Sequence, residues 1–180
     1  MTTALDFWVF GYGSLVFNPG MEVAETRRAT LHGYRRRFCM WSIHHRGSEA
    51  DPGLVLALES HAGATCTGLA IRPADPEPAL ASLRERELIS SAYHETTVPL
   101  VTDDGEPMDS LAYVIDVTHR QYARDLSLEQ QARIIAEAHG GRGPNHEYLT
   151  QSVDGLAKLG VRDPELDWLV ARVQQMRAAS

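Results

Sequence analysis

The first stretch able to do chemistry is Val9-Phe10-Gly11-Tyr12-Gly13-Ser14-Leu15, an apolar run leading into two glycines that flank a tyrosine. Glycine reaches backbone angles closed to other residues and leaves no Cβ between the main chain and a ligand. Successive bare N–H groups in such a turn form a concavity suited to something small and anionic. The same residues fit a plain glycine turn between two strands, and the loop alone does not separate the two readings. The second candidate is a carboxylate. Asp75-Pro76-Glu77 is a helix start: a capping aspartate, proline in the first turn, then an acid near the positive end. Leu80 and Leu83 define the core face of that helix, and at 3.6 residues per turn Glu87 lies roughly 20° from Leu80 while Glu85 lies roughly 140° away. Glu85 therefore reads as solvated, and Glu87 projects along the buried stripe near the helix end. Burial disfavours the carboxylate and raises its pKa, which suits a general base that must later return its proton. Two plainer outcomes stay open: a helix that ends before Glu87, or a salt bridge to Arg84 or Arg86.

The scaffold for these groups reads as strands first and helices later. Strands are expected at Phe7–Phe10, Tyr34–Trp41, Leu54–Glu59, Cys66–Ile71, His94–Val101 and Leu111–Val117, with Asp103-Asp104-Gly105 as a turn between the last two. Ser127-Leu128-Glu129-Gln130 fits a capping box, opening a helix that runs to about His139, where Gly140-Gly141 stops it. Asp163-Pro164-Glu165 starts a third helix with Leu166, Leu169, Val173 and Met176 on one stripe. Helices inserted into and appended to a strand-rich body make an α+β domain, and the 180 residues fit a single one, spanning 1–180.

Composition removes several function classes. The net charge of −7 argues against nucleic acid and anionic membrane as partners. No apolar run approaches the ~20 residues of a membrane span, and no secretory leader is expected. Cys39 and Cys66 form no framework and no metal-ligand spacing, which suits a reducing cytoplasm. His44, His45 and His61 lack a carboxylate or cysteine that would complete a metal site. Gly140-Gly141-Arg142-Gly143 follows a helix, the wrong polarity for a phosphate cradle. Arg35-Arg36-Arg37 sits on a strand, where alternate side chains face opposite ways, so solvated and salt-bridged arginines are expected.

Four segments, in order, resemble the ChaC family of γ-glutamylcyclotransferases, the glutathione-specific branch. They are Val9–Leu15; Tyr34-Arg35-Arg36-Arg37-Phe38 with His45-Arg46-Gly47; Arg86-Glu87 with Tyr93 six residues on; and Gly143-Pro144-Asn145-His146-Glu147-Tyr148-Leu149. Spacing to Tyr93 and helical phase both align the family's acid with Glu87 and not with Glu85.

The resemblance implies a γ-glutamylcyclotransferase-like fold, a small curved mixed sheet or barrel with inserted and C-terminal helices. It implies cyclisation of the γ-glutamyl group of glutathione to 5-oxoproline with release of cysteinylglycine, in the cytoplasm, with no metal, no cofactor and no protein partner. Glu87 is then the general acid/base. Val9, Phe10, Gly11, Tyr12, Gly13, Ser14 and Leu15 bind substrate, the amides from Tyr12 to Leu15 holding its carboxylate or developing oxyanion. Tyr148 donates its hydroxyl to the γ-glutamyl group, a buried core tyrosine being the competing reading, and Arg46 and Arg142 are partners for the glycyl carboxylate. Two alternatives remain at this stage: cyclisation of other γ-glutamyl amines or dipeptides, and non-catalytic binding of γ-glutamyl compounds.

Overall fold

The computed structural model describes residues 4–180. Strands β1 (Val9–Gly11), β2 (Val23–Ser42), β3 (Gly53–Pro73), β4 (Tyr93–Thr102) and β5 (Pro107–Ile115) form a closed mixed barrel in the order β1-β3-β2-β4-β5, with β3 also pairing β5. The helices are α1 (Ser14–Phe17), α2 (Pro76–Leu88), α3 (Leu128–Glu137), α4 (Asn145–Lys158) and α5 (Pro164–Ala178), and a two-strand ribbon of β6 (His139–Gly140) and β7 (Gly143–Pro144) precedes α4. The α+β class and the curved mixed barrel are as expected. The chain separates into two compact units, one of the segments up to Arg36 and Leu58–Asp116, the other of Arg37–Ala57 and Val117–Ser180.

In the first unit β1 runs antiparallel to β3, Val9 opposite Ile71, and parallel to β5, Val9 opposite Leu111. β4 and β5 form a regular antiparallel hairpin from Tyr93–Ile115 to Val101–Pro107, and Gly105 takes φ +84° in the expected turn. β2 spans 20 residues, well over twice the length expected. Its buried positions fall on Ala29 and Leu31, then on Arg36, Phe38, Met40 and Ser42, with Cys39 between them buried as well, so the regularly buried face changes parity. Gly33, between them at φ +85°, is where a kink of that kind is accommodated. Leu54–Glu59 and Cys66–Ile71 are the two ends of one strand, β3, joined through an exposed stretch with Gly63 at φ +82°. Val9, Leu15, Ile71, Leu83 and Tyr113 make one core cluster, with Phe7, Leu69, Leu88 and Tyr93 packed on it. That cluster seats α1 and α2 on the barrel wall.

In the second unit α3, α4 and α5 pack on one another. The capping box closes as expected, Gln130 N–H donating to Ser127 Oγ at 3.1 Å and Ser127 N–H to Gln130 Oε1 at 2.9 Å. Asp163 caps α5, whereas Asp75 occupies the N-cap of α2 without a side-chain cap bond. Helix α4 was not foreseen, nor were the short elements α1, β6 and β7. The glycine stretch at 140–143 therefore leads into a helix as well as out of one, correcting the polarity expected for it. Its main chain docks on the 44–45 turn, with Gly141 N–H to the His44 carbonyl at 2.7 Å and Arg142 N–H to that of His45 at 2.9 Å.

Candidate active site

β1 delivers its glycine turn directly into α1. Val9 and Phe10 are fully buried strand residues. Gly11 is closely packed: a Cβ there would lie 3.2 Å from Ile71 Cδ1 and 3.4 Å from Leu15 Cβ, so those side chains would have to give by a few tenths of an ångström. Gly68 allows the approach from the other side, where a Cβ would sit 2.3 Å from the Gly11 carbonyl. In α1, Val16 N–H donates to the Gly13 carbonyl at 3.0 Å, and the amides before it precede the first turn's own hydrogen bonds. The turn is held from three directions. Tyr12 donates its hydroxyl to the Tyr113 carbonyl of β5 at 3.2 Å. Arg36 of β2 donates Nη1 to the Tyr12 carbonyl at 2.8 Å. Arg86 of α2 donates to Ser14 Oγ at 2.9 Å and to the Asn18 carbonyl at 2.8 Å.

Arg86 is also what brings the carboxylate to the loop. Helix α2 runs through Leu88, so Glu87 stands in its last turn. The buried positions of α2 are Ala79 and Leu83, with Leu80 only half-buried, so the core face is rotated slightly from the one expected. Phase nonetheless separates the two acids as anticipated: Glu85 is exposed, and the Glu87 side chain is 13% exposed. The salt bridge exists too, Arg86 Nε lying 3.4 Å from Glu87 Oε1. Burial pushes the Glu87 carboxyl above its ordinary range, and the Arg86 charge pulls back only part of the way. The negative end of the α2 dipole acts in the same direction as burial.

A second acid nearby behaves oppositely. Glu95 on β4 takes two bonds from Arg84, both 3.0 Å, and one from the Tyr113 hydroxyl at 3.0 Å. The Arg84 bond holds it below the usual carboxylate range, while burial and the Glu95 bond push the Tyr113 hydroxyl well up. The two environments thus drive the two carboxyls apart, Glu87 toward the neutral acid and Glu95 toward the carboxylate.

Tyr148 belongs to the second unit and its side chain is engaged there. Its hydroxyl accepts from Leu56 N–H at 3.2 Å, its ring meets Phe38 edge-on at 5.9 Å, and the Arg46 guanidinium lies 5.7 Å from the ring centre. Arg46 is buried and donates to the Pro144 carbonyl at 3.2 Å and Gln151 Oε1 at 3.3 Å, so in this structure it is a brace for α4. Among the described residues no three His, Cys, Asp or Glu side chains come together as a metal site. Arg36 was not foreseen as part of the site. Of the three consecutive arginines it alone is buried, against the expectation of solvated arginines, while Arg35 pairs with Glu59 at 2.7 Å as a salt bridge.

The closed mixed barrel with its inserted and appended helices is a fold shared with solved γ-glutamylcyclotransferases. A yeast structure described as specific to glutathione superposes with a TM-score of 0.87 at 21% identity, over 97% of this chain and 98% of that one. The chain belongs to the ChaC-like protein family, whose model matches residues 7–176. The Escherichia coli protein named glutathione-specific γ-glutamylcyclotransferase is 36% identical over 95% of this chain and 74% of its own length. The human glutathione-specific γ-glutamylcyclotransferase 1 is 34% identical over 94% of this chain and 79% of its own.

Proposed function

We propose that this protein is a glutathione-specific γ-glutamylcyclotransferase, with Glu87 as its general acid/base and the Val9–Leu15 turn as its substrate cradle. The observation that carries the reading is the largely buried Glu87 carboxyl, tied through Arg86 to Ser14 of that turn. Binding alone needs no carboxyl with a raised pKa, so the arrangement favours catalysis over a passive binder. The family match covers both units, and residues 1–180 are read as one catalytic domain.

The chemistry is an intramolecular acyl transfer. The α-amine of the γ-glutamyl group attacks its own γ-carbonyl carbon, a C–N bond forms to close the five-membered lactam, and the amide C–N bond to cysteine breaks. Glu87 takes a proton from the attacking nitrogen and returns one to the departing nitrogen, leaving 5-oxoproline and cysteinylglycine. Nucleophile and electrophile share one molecule, so the protein mainly selects the folded conformer, a gain on the order of 7–11 kcal/mol in well-oriented cases. Amides from Tyr12 to Leu15 receive the substrate carboxylate or the oxyanion. Cys39 and Cys66 are unbridged, in keeping with a cytoplasmic setting for a thiol substrate.

Incubation with reduced glutathione yields 5-oxoproline and cysteinylglycine in equal amounts. Absence of both products overturns the reading, and cyclisation of γ-glutamyl amino acids with glutathione untouched would move the specificity elsewhere. The acid limb of kcat/KM follows from the sign of the Glu87 shift. The base must be ionised, its folded pKa lies above the ordinary glutamate value, and activity is lost as pH falls through that raised pKa. Arg86→Met removes the charge that lowers it, so the limb moves to still higher pH; a pH–rate profile of the two proteins checks this.

A further inference from the structure

The glycine turn has a weakness that its sequence creates. Tyr12–Gly13 is a peptide between a residue fixed by its side chain and one with almost no rotational restriction. A flip of that single peptide would replace an outward N–H by an outward C=O. At a site for a carboxylate or an oxyanion, this turns an attraction into a repulsion. Tyr12 is anchored through its hydroxyl on Tyr113, but a side-chain anchor does not choose the direction of the following peptide.

Arg36 does choose it. Its side chain lies on the inward face of β2 and the residue is 6% exposed. Nη1 donates to the Tyr12 carbonyl at 2.8 Å, and Nη2 donates to the Thr67 carbonyl of β3. The peptides of the described chain are trans, so the C=O of Tyr12 and the N–H of Gly13 point in opposite directions. A guanidinium that grips the carbonyl therefore aims the Gly13 N–H away from itself. The second bond, to Thr67, stops the guanidinium from following a flip, because its planar fork holds both acceptors in one orientation. Burying a guanidinium is costly, and an apolar side chain would fill this inward strand position at less expense.

We infer that Arg36 is a positioning residue of the active site, which sets the Tyr12–Gly13 peptide so that the Gly13 N–H faces the substrate's negative oxygen. This rests on the cyclotransferase reading and adds to it the residue that keeps the cradle in its anion-binding state. Arg36 acts through the main chain of the turn; Glu87 and its proton transfer are independent of it.

The test uses the full chain with Arg36→Met and Arg36→Lys, assayed on glutathione per folded molecule at a temperature well below the unfolding midpoint. Arg36→Met lowers kcat/KM about 100-fold or more, the usual effect of losing one oxyanion donor; the loss falls on kcat where the Gly13 N–H serves the oxyanion and on KM where it serves the ground-state carboxylate. Arg36→Lys reaches only one carbonyl at a time and falls between Arg36→Met and wild type. The acid limb of kcat/KM stays where it is in both, since Glu87 is untouched. Millimolar guanidinium, and not ammonium, restores part of the activity of Arg36→Ala. Folded Arg36→Met with kcat/KM within threefold of wild type overturns the inference and leaves the cyclotransferase reading standing. An inactive wild type overturns that reading, and this inference with it. Should the variants not fold, Glu87→Gln protein saturated with glutathione decides: the Gly13 amide proton shifts and exchanges more slowly on binding, and an unchanged Gly13 amide rejects the proposal.

Discussion

Glu87→Gln ends turnover without unfolding the protein. The expected loss in kcat is about 1,000-fold or more, at the upper part of the range for removing a general acid/base. The amide fills the same volume but accepts no proton from an ammonium and has none to lend to a leaving nitrogen. Stability moves the other way. Because burial raises the carboxyl's folded pKa, ionised Glu87 destabilises the folded state once pH exceeds that value. Glutamine carries no such penalty but gives up the 3.4 Å ion pair with Arg86. The variant's unfolding midpoint at neutral pH is therefore equal to or above that of wild type, and any advantage disappears at low pH, where both side chains are neutral. Glu87→Asp keeps the chemistry but withdraws the carboxyl by one methylene, and a displacement of about 1 Å costs on the order of 100-fold. Steady-state 5-oxoproline release and a thermal melt at two pH values check the set. A Glu87→Gln protein within tenfold of wild-type kcat would remove Glu87 from the chemistry.

What could be read in advance follows from how local each signal is. The phase of Glu87 was legible because 3.6-residue periodicity survives even when the face it predicts is slightly rotated, from Leu80 toward Ala79. The capping box at Ser127 was legible for the same reason. Helix α4 was not, although its buried positions Asn145, Tyr148, Leu149, Ser152, Gly155 and Leu156 are spaced as a helix face. Half of them are polar or have no side chain, so hydrophobic periodicity gives no trace of that face. The first half of β2 was hidden in another way. Its charged run from Glu25 to Arg28 reads as loop, but its side chains are paired: Glu25 with Arg27 along the strand and with Arg72 of β3, and Arg27 with Glu106 in the β4–β5 turn. Arg27 and Arg72 also stack on Trp8, at 5.3 and 5.9 Å from its ring. Arg36 shows the limit most sharply. Alternation says that Arg36 faces opposite to Arg35 and Arg37, but which side is inward depends on the parity change at Gly33, and nothing local announces that change.

Asn145→Ala carries the largest expected stability loss outside the catalytic residues. Asn145 is fully buried at the start of α4, and its amide closes a two-bond ring with one residue of β3. Leu54 N–H donates to Oδ1 at 2.8 Å, and Nδ2 donates to the Leu54 carbonyl at 2.8 Å. The side chain thus supplies what a neighbouring strand would, satisfying both main-chain groups at a position where water does not reach. The seat is built for it: a Cβ on Gly53 would lie 2.8 Å from Oδ1 and 2.3 Å from the Arg46 carbonyl, so position 53 has to be glycine. Alanine leaves a buried donor and a buried acceptor unsatisfied at about 1–3 kcal/mol each, a loss of about 3–5 kcal/mol in all. For a domain of this length that lowers the unfolding midpoint by roughly 8–15 °C. Asn145→Asp discriminates between lost contacts and lost volume. Its carboxylate still accepts from the Leu54 N–H but meets the Leu54 carbonyl lone pair to lone pair. That favours the protonated acid in the folded state and raises its pKa, so stability is lowest at neutral pH and recovers as pH falls through that raised value, when the acid can donate. Calorimetric melts of both variants across pH measure this directly, and an Asn145→Asp protein with no recovery on acidification would show that the Leu54 carbonyl does not need its donor.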